Sequence, residues 1–360
     1  MRYSTWIYIL VCTTLSLSLV ACNNRLSGGA PVSGSLSAGG GGGGTQQVII
    51  RTMNTQLDLL WVIDDSGFQA GPQSILTGSL GPTYSYLASQ GWDLHMAVVG
   101  TDAYMADPLL ANYNSVNAPL AQFKSPSSNF IVTQNTLNLS SVFDANLSIG
   151  QTGNNDDRAF SSFRTALNSS LNSGFLRSTS FLGIFILSDQ DDFSGNGRGS
   201  DVIPQHSYSD PNLEPLSVYT SYLDGLTGTT GNSRRYSVSA IDVPDNTCLT
   251  TRLMTNVYAI IGMRYSQLAA STNGVIGDLC DSDYTPDMAT ISNQWAILAT
   301  QIFVTVPPSN LNVVNVTVNG VTVNQDPANG WTFNTNSNSF QFHGTSIPKY
   351  GAAINITYMP

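Results

Sequence analysis

The sequence LDLLWVIDDSG at positions 57–67 decides the fold of this chain. Its first part is a near-continuous apolar run of strand length, and Asp64, Asp65, Ser66 and Gly67 follow it as turn-forming residues. A run that is apolar on both faces is typical of a strand in the middle of a parallel sheet, covered by helices on both sides. The segment therefore predicts a buried central strand that ends in a polar loop.

Similar apolar runs recur along the chain and alternate with segments of helical periodicity. The further strand candidates are His95–Gly100, Phe181–Leu187, Tyr236–Ile241 and Gly274–Leu279. The helix candidates are Gln73–Ser89, Asp156–Asn172, Leu216–Leu226, Tyr265–Thr272 and Pro286–Thr300. This alternation predicts an α/β fold with a mostly parallel central sheet flanked by helices.

The pattern changes after Pro307-Pro308, where short runs alternate apolar and polar residues. Asn319-Gly320 separates two of these runs and predicts a two-residue hairpin turn, because both residues tolerate a positive φ. We expect a small antiparallel, sandwich-like β-unit over residues 307–360, after an α/β domain over residues 48–306.

Residues 1–21 have the order of a secretory signal peptide, with a basic residue near the start and an apolar stretch at 7–20. LVAC at 19–22 resembles the bacterial lipobox, which implies that Cys22 is acylated and becomes the mature N-terminus. Asn23 implies sorting to the outer membrane, by resemblance to the enterobacterial rule. The alternatives are an ordinary signal peptide or an uncleaved anchor helix, for which the apolar run is short.

Residues 22–47 are rich in Gly and Ser and include a run of glycines. Such a composition cannot bury a core and behaves as a flexible coil. Because acyl chains on Cys22 would suffice for stable anchoring, we expect membrane attachment through lipid alone, with this segment as a tether.

The chain has four cysteines. Cys12 lies in the signal peptide and Cys22 is assigned to lipid, which leaves Cys248 and Cys280. In an oxidising envelope we expect these two to form a disulfide bond. A metal site is the alternative, although neither thiol has a second cysteine or a histidine at zinc-ligand spacing.

The polar loops between the apolar runs and the helices contain oxygen donors suited to a hard cation. Asp64 and Ser66 follow the first strand, Thr152 precedes a predicted helix, and Asp189 follows the strand Phe181–Leu187. In an open parallel sheet, ligands bind beyond the carboxyl ends of the strands. We therefore expect these four side chains to meet at one edge of the sheet.

The first loop resembles the Asp-x-Ser-x-Ser signature of the von Willebrand factor type A (vWA) family, and SDQDDFS at 188–194 resembles its third motif. The resemblance covers roughly residues 55–305 and is particularly to bacterial lipoprotein members of the family. It implies a Rossmann-like vWA domain with a metal-ion-dependent adhesion site (MIDAS). The ligands of Mg²⁺, or of Mn²⁺ or Ca²⁺, would be Asp64, Ser66, Thr152 and Asp189.

Phe68 departs from the signature, because the family has a second serine there and a phenyl ring cannot ligate a hard cation. Asp65, Asp191 or a water molecule would then have to compensate, and the ion would be Ca²⁺ or weakly bound. For Asp191 and Asp192 themselves we expect a solvated loop, and the alternative is a separate calcium site, although the spacing lacks the final glutamate of an EF-hand loop. The alternative for the first loop is a turn whose polar groups only satisfy backbone amides.

The resemblance implies an adhesion or recognition module, in which the ion attracts a carboxylate of a protein or glycan partner. The alternative is a passive envelope or assembly protein that no longer binds metal. An enzyme is not expected, since the histidines are limited to His95, His206 and His343 and no nucleophile-elbow or metalloprotease motif accompanies them. With 13 basic against 23 acidic residues, the charge argues against a nucleic-acid partner.

Overall fold

A computed structural model describes residues 33–35, 45–67, 69–108, 115–154, 156–195, 207–255 and 258–360. The predicted signal peptide and the lipidated Cys22 lie outside the described residues, as do Phe68, His206 and most of the predicted tether. Within that tether, Ser33–Ser35 form a short strand that pairs antiparallel with residues 47–49.

The described chain contains strands in three sheets, with helices between them. The strands are β1 (Ser33–Ser35), β2 (Gln47–Thr52), β3 (Gln56–Ile63), β4 (Asp93–Gly100), β5 (Val132–Thr133), β6 (Phe181–Leu187), β7 (Tyr236–Asp242), β8 (Ile276–Asp278), β9 (Ile302–Phe303), β10 (Asn315–Val318), β11 (Val321–Val323), β12 (Trp331–Asn334), β13 (Ser339–Phe342) and β14 (Ala353–Tyr358). The α-helices are α1 (Ala70–Ser79), α2 (Gly81–Gln90), α3 (Leu139–Leu147), α4 (Ala159–Asn168), α5 (Leu216–Thr227), α6 (Asn246–Met254), α7 (Met263–Ser271) and α8 (Thr285–Thr300).

The main sheet has the order β5-β4-β3-β6-β7-β8. All its pairings are parallel except that of β5 with β4, which confirms a mostly parallel sheet flanked by helices. From β3 the chain first adds β4 on one side and later β6 on the other, so the winding direction reverses at β3. In such sheets the reversal opens a crevice at the carboxyl ends of the strands.

Both faces of the main sheet are buried under helices. Leu59 and Trp61 of β3 belong to the apolar core shared with α1, α2, α3 and α8, whereas Leu60 and Val62 belong to the core shared with α4, α5 and α7. The apolar run at 57–63 therefore has no solvent-facing side, as the sequence predicted. Burial of both faces fixes the end of β3 firmly and places the loop after it at the sheet edge.

Two predicted helices differ from those observed. The span Gln73–Ser89 is divided into α1 and α2 at Leu80, because Gly81-Pro82 starts a new helix with proline in its first turn. The span Asp156–Asn172 contains α4, which begins only at Ala159 and is followed by a short 3-10 helix at Ser170–Asn172. The residues just before Ala159 are therefore not helical and can reach the edge of the main sheet.

The C-terminal β-strands do not form their sheets alone. Strand β14 pairs antiparallel with β2 over residues 47–52, and β13 pairs with β9. The sheets therefore join residues from both sides of the predicted boundary at residue 306. The predicted hairpin is present, with Asn319 at φ 52° and Gly320 at φ 79° between β10 and β11.

Cys248 and Cys280 form a disulfide bond, with Cα atoms 5.5 Å apart, which confirms their predicted pairing. The bond joins the first turn of α6 to the segment after β8. Among the described residues, no helix has both the length and the apolar character that a membrane crossing requires.

Candidate functional site

The carboxyl ends of β3, β4 and β6 lie side by side at one edge of the main sheet. Ile63 of β3 is in register with Gly100 of β4 and with Leu187 of β6. The residues that follow these strands, Asp64, Thr101 and Ser188, are fully buried. Polar side chains from three separate loops thus meet at the crevice where the winding direction reverses.

Asp64 is held in a fixed orientation beneath this edge. One of its carboxylate oxygens accepts a hydrogen bond from the Ser66 backbone N–H at 2.9 Å, and the other accepts one from the Ser188 hydroxyl at 3.0 Å. The Ser66 hydroxyl also interacts with the Asp64 carboxylate. Burial raises the pKa of Asp64 above its usual range, and these hydrogen bonds oppose that shift.

The sequence reasoning missed Asp157, which lies two residues before α4 and is buried. Its carboxyl group is within hydrogen-bonding reach of Asp64, and one of its oxygens accepts a hydrogen bond from the Thr101 hydroxyl at 2.5 Å. Its Oδ2 has no hydrogen-bond partner among the described residues. Burial, followed by the charge of Asp64, raises its pKa well above the usual range. The sequence signal that could have found Asp157 is its position as an acidic residue in a polar loop just before a helix.

Thr152, the predicted hydroxyl ligand, lies in the same loop but is exposed. In the described part of the chain, no hydrogen bond joins it to Asp64, Ser66 or Asp189. Instead the neighbouring Gly153 fixes the loop, because its N–H donates to the Asp65 carbonyl at 2.7 Å. The loop therefore presents Asp157 to Asp64, and a role for Thr152 as an ion ligand stays a prediction.

Asp189 is buried at the same edge and forms an ion pair with Arg252 of α6, with an N–O distance of 2.6 Å. Burial and then the charge of Asp64 raise the pKa of Asp189 to about 7, although Arg252 acts in the opposite direction. The Asp189 carbonyl also accepts the N–H of Ile260 at 2.9 Å. The sequence offered no signal for Arg252, since no short-range pattern links it to Asp189.

Asp65 points to a different group of side chains. Its carboxylate lies 3.6 Å from the ammonium of Lys124, which also contacts Asp102 at 3.7 Å. Burial and then the charge of Asp102 raise the pKa of Asp65 to about 7. A Cβ atom at Gly153 would lie 2.3 Å from an Asp65 oxygen, so the glycine is needed for this close packing. Asp65 is thus engaged by Lys124, which weakens the case for it as a substitute ligand.

Asp191 and Asp192 were expected in a solvated loop, and this prediction is wrong, because both are buried. Asp191 accepts the Arg264 backbone N–H and the Tyr208 hydroxyl. Asp192 accepts the Phe160 N–H at 2.9 Å and interacts with the Arg264 guanidinium at 3.4 Å. These carboxylates help to fasten the segment after β6 to α4 and α7.

The described histidines make structural contacts. His95 Nδ1 is 2.8 Å from the carbonyl oxygen of Phe175, and His343 Nε2 is 2.7 Å from the Thr332 hydroxyl in the C-terminal β-strands. Neither contact involves Ser66. The geometry of this sheet edge is therefore defined by carboxylates and hydroxyls.

These residues suit a hard divalent cation. Such ions take carboxylate and hydroxyl oxygens as ligands. Asp64 and Asp157 bring two acceptors together, and without a proton or a cation between them they repel each other. The buried Oδ2 of Asp157, which lacks a partner among the described residues, is an oxygen that an ion would satisfy. Asp64, Ser66, Asp157 and Asp189 are therefore the residues at this edge that could contribute oxygens to an ion. Among the described residues, the acidic, histidine and cysteine side chains whose ligand atoms all lie within 4.8 Å of one another are Cys248, Asp278 and Cys280, and the two sulfurs of that group are joined in the disulfide bond. Asp64, Asp157 and Asp189 do not meet this distance in the structure.

No protein-family model matches this chain, and no curated protein matches it either. Among solved structures, the open conformation of the pilus adhesin SpaC from Lactobacillus rhamnosus GG is similar at 12% identity, with a TM-score of 0.43. The match covers 88% of this chain and 40% of that one. Proximal thread matrix protein 1 from the mussel byssus is similar at 11% identity, with a TM-score of 0.38, over 70% of this chain and 50% of that one. This chain thus spans half or less of these structures, and similarity at this level does not decide between functions.

Proposed function

We propose that this protein is an envelope lipoprotein whose vWA-like domain binds a divalent cation and, through it, a carboxylate of a protein or glycan partner. The observation that carries the proposal is the meeting of Asp64 and Asp157, both buried, at the carboxyl end of the central strand. Among the described residues no basic side chain forms an ion pair with either, whereas Asp65 and Asp189 have Lys124 and Arg252.

The charge balance supports recognition of an acid. Arg252 neutralises much of the negative charge of Asp189. A cation beside Asp64 and Asp157 would therefore keep enough positive charge to attract another anion. Mg²⁺ prefers six oxygen ligands and keeps several waters, which an incoming carboxylate can replace. Ser66 would supply a neutral hydroxyl, and Asp64 and Asp157 the negative charge. Mn²⁺ or Ca²⁺ could take the same oxygens.

Calorimetric titration of the chain with Mg²⁺, Mn²⁺ and Ca²⁺ tests the cation site. Asp64→Asn and Asp157→Asn should each weaken binding by at least about tenfold, because each removes a negative charge next to the ion. Asp326→Asn is the matched control, since Asp326 accepts the backbone N–H groups of Ala328 and Asn329 in a turn among the C-terminal strands, away from Asp64 and Asp157. Equal affinity in the wild type and in both site variants would refute the assignment and favour a passive envelope protein.

Binding to carboxylate-coated and hydroxyl-coated beads tests the partner chemistry. The wild-type chain with Mg²⁺ should bind only the carboxylate-coated beads, and EDTA should release it. Asp157→Asn should bind neither kind. Equal binding to both coatings, or binding that EDTA does not reverse, would show that no metal-bound carboxylate is involved.

The membrane attachment rests on Cys22 and is tested separately. We expect labelled palmitate to enter the wild-type chain in bacterial cells and Cys22→Ala to lose both the label and its place in the outer-membrane fraction. Fractionation of Cys22→Ala with the membrane would contradict lipid anchoring, and it would leave the cation site unaffected.

A further inference from the structure

Helix α6 is attached to the rest of the domain at few points. Cys248 is its only buried residue, and Leu249 packs half-buried against the core. Leu253 and Met254, at its C-terminal end, are exposed. A nine-residue helix is not stable by itself in water, because too few hydrogen bonds offset the cost of starting it. The position of α6 therefore depends on these few attachments.

Two of the attachments lie one helical turn apart. Cys248 forms the disulfide bond with Cys280, and Arg252, four residues later, forms the ion pair with Asp189 at 2.6 Å. Residues four apart lie on the same face of a helix. The disulfide bond therefore fixes the face of α6 from which the Arg252 guanidinium extends to the Asp189 carboxylate.

The other end of the disulfide bond is anchored at the main sheet. The Cys280 N–H donates to the Asp278 carboxylate at 2.8 Å, and the Leu279 N–H donates to the Asp242 carbonyl at 2.7 Å. The Leu279 carbonyl accepts the Tyr284 hydroxyl at 2.9 Å. Because Asp242 and Asp278 end β7 and β8, the disulfide bond ties α6 to the carboxyl ends of these two strands.

The Arg252 guanidinium has few contacts of its own. Its Nη2 donates to the Asp189 carboxylate, and its Nε is buried without a hydrogen-bond partner among the described residues. A long arginine side chain loses rotamer freedom when it is held in one geometry, and this loss of entropy opposes the ion pair. The ion pair is therefore most favourable where the backbone of α6 is already fixed, and the disulfide bond supplies that constraint.

We propose that the disulfide bond of α6 positions Arg252 as the counter-ion of Asp189 and thereby sets the charge at the candidate cation site. The consequence at that site rests on the proposed function, whereas the position of Arg252 can be measured without a cation. With the bond intact, the guanidinium offsets the charge of Asp189, so a cation beside Asp64 and Asp157 keeps positive charge for the carboxylate partner. With the bond open, Asp189 contributes its full negative charge, so the cation is bound more tightly and the partner more weakly.

Modification of arginine by phenylglyoxal, in EDTA and followed by peptide mass spectrometry, tests the position of Arg252. In the Cys248→Ser/Cys280→Ser variant, Arg252 should react at least about threefold faster than in the wild type, because a loosened helix opens more often. Arg234 is the matched control, since it pairs with Asp224 at similar exposure and precedes β7, at the opposite end of that strand from α6. Its rate should not change. An unchanged rate at Arg252 would overturn the proposal.

Opening the bond in the folded wild type repeats this test where the serine variant does not fold. Dithiothreitol reduces the disulfide bond to two cysteine thiols and is itself oxidised to its cyclic disulfide. The thiols are then alkylated and the reagents removed before phenylglyoxal is added. The same faster reaction at Arg252 is expected, and an unchanged rate would again overturn the proposal.

Calorimetric titration with Mg²⁺ tests the consequence at the cation site. The serine variant should bind Mg²⁺ at least about threefold more tightly than the wild type, and carboxylate-coated beads at least about threefold more weakly. Arg252→Gln should give the same two shifts. Adding it to the serine variant should change neither further, because both changes act through one ion pair.

A disulfide bond that only stabilises the fold gives a different result, namely weaker or unchanged Mg²⁺ binding in the serine variant. That result would overturn the proposal. A wild type that binds no Mg²⁺ contradicts the proposed function instead, and the phenylglyoxal rates still decide whether the disulfide bond positions Arg252.

Discussion

Asparagine at position 189 should stabilise the metal-free protein at alkaline pH. Burial and the charge of Asp64 raise the pKa of Asp189 from 3.8 to about 7. The folded state therefore binds a proton that the unfolded state has already released. Stability from this group is fully present below the unfolded pKa, and it is lost as the pH rises through the folded pKa. Asp189→Asn mimics the protonated form at every pH.

The size of the effect follows from the same shift. Each pH unit between the unfolded and folded pKa values costs about 1.4 kcal/mol, so the wild type should lose about 3 kcal/mol between about pH 5 and about pH 8 from Asp189 alone. In EDTA, the stability advantage of Asp189→Asn over the wild type should therefore be about 3 kcal/mol larger near pH 8 than near pH 5. Mg²⁺ should restore the wild type at pH 8, because a nearby cation favours the ionised carboxylate.

Urea denaturation at the two pH values, with EDTA or with Mg²⁺, measures these differences. Asp224→Asn is the matched control, since its ion pair with Arg234 lowers the pKa of Asp224. That variant should be less stable than the wild type at pH 8. An advantage of Asp189→Asn in EDTA that is no larger at pH 8 than at pH 5 would refute the reasoning, and it would show that Asp189 ionises without cost in the folded protein.

Two further substitutions test the supports of the sheet edge and of the central strand. Gly153→Ala should destabilise the protein by about 1–3 kcal/mol in urea denaturation, because its Cβ would lie 2.3 Å from Asp65, whereas Gly78→Ala in α1 meets open space and should gain about 0.5–1 kcal/mol. A neutral result for Gly153→Ala would show that the loop can shift. Arg177→Gln should cost about 3–5 kcal/mol, since it removes the ion pair, at 2.6 Å, of the fully buried Asp58. A loss below about 1 kcal/mol would mean that water replaces the guanidinium.

Sequence periodicity predicted best those strands and helices that are completely buried. The strand Phe181–Leu187 has the predicted bounds, because each of its residues is apolar or small and each is buried. Helix α6 was not predicted, and Cys248 is its only buried residue, so it has no apolar face to produce a periodic signal. The pairing of β2 with β14 was not predicted either, since strand partners distant in the chain leave no local pattern.

The residues of the candidate site also divide into those that the sequence could predict and those that it could not. Asp64, Ser66 and Asp189 could be found because each directly follows a strong apolar strand, and the topology of parallel sheets brings such positions to one edge. Asp157 and Arg252 could not be assigned from the sequence, because a polar residue in a loop has the same local signature whether it faces solvent or a buried carboxylate. Asp191 and Asp192 illustrate the same ambiguity, since their polarity suggested exposure and the fold buries them.

The sequence by itself determined the α/β alternation, the central strand at 57–63, the hairpin at Asn319-Gly320 and the pairing of Cys248 with Cys280. Each depends on local chemistry: apolar runs must be buried, certain residues tolerate positive φ, and two thiols remain after the N-terminal pair is assigned. Only the tertiary structure decided which carboxylates face each other and which have a basic partner. Those relations depend on distances between loops far apart in the chain, and electrostatic energies change steeply with such distances.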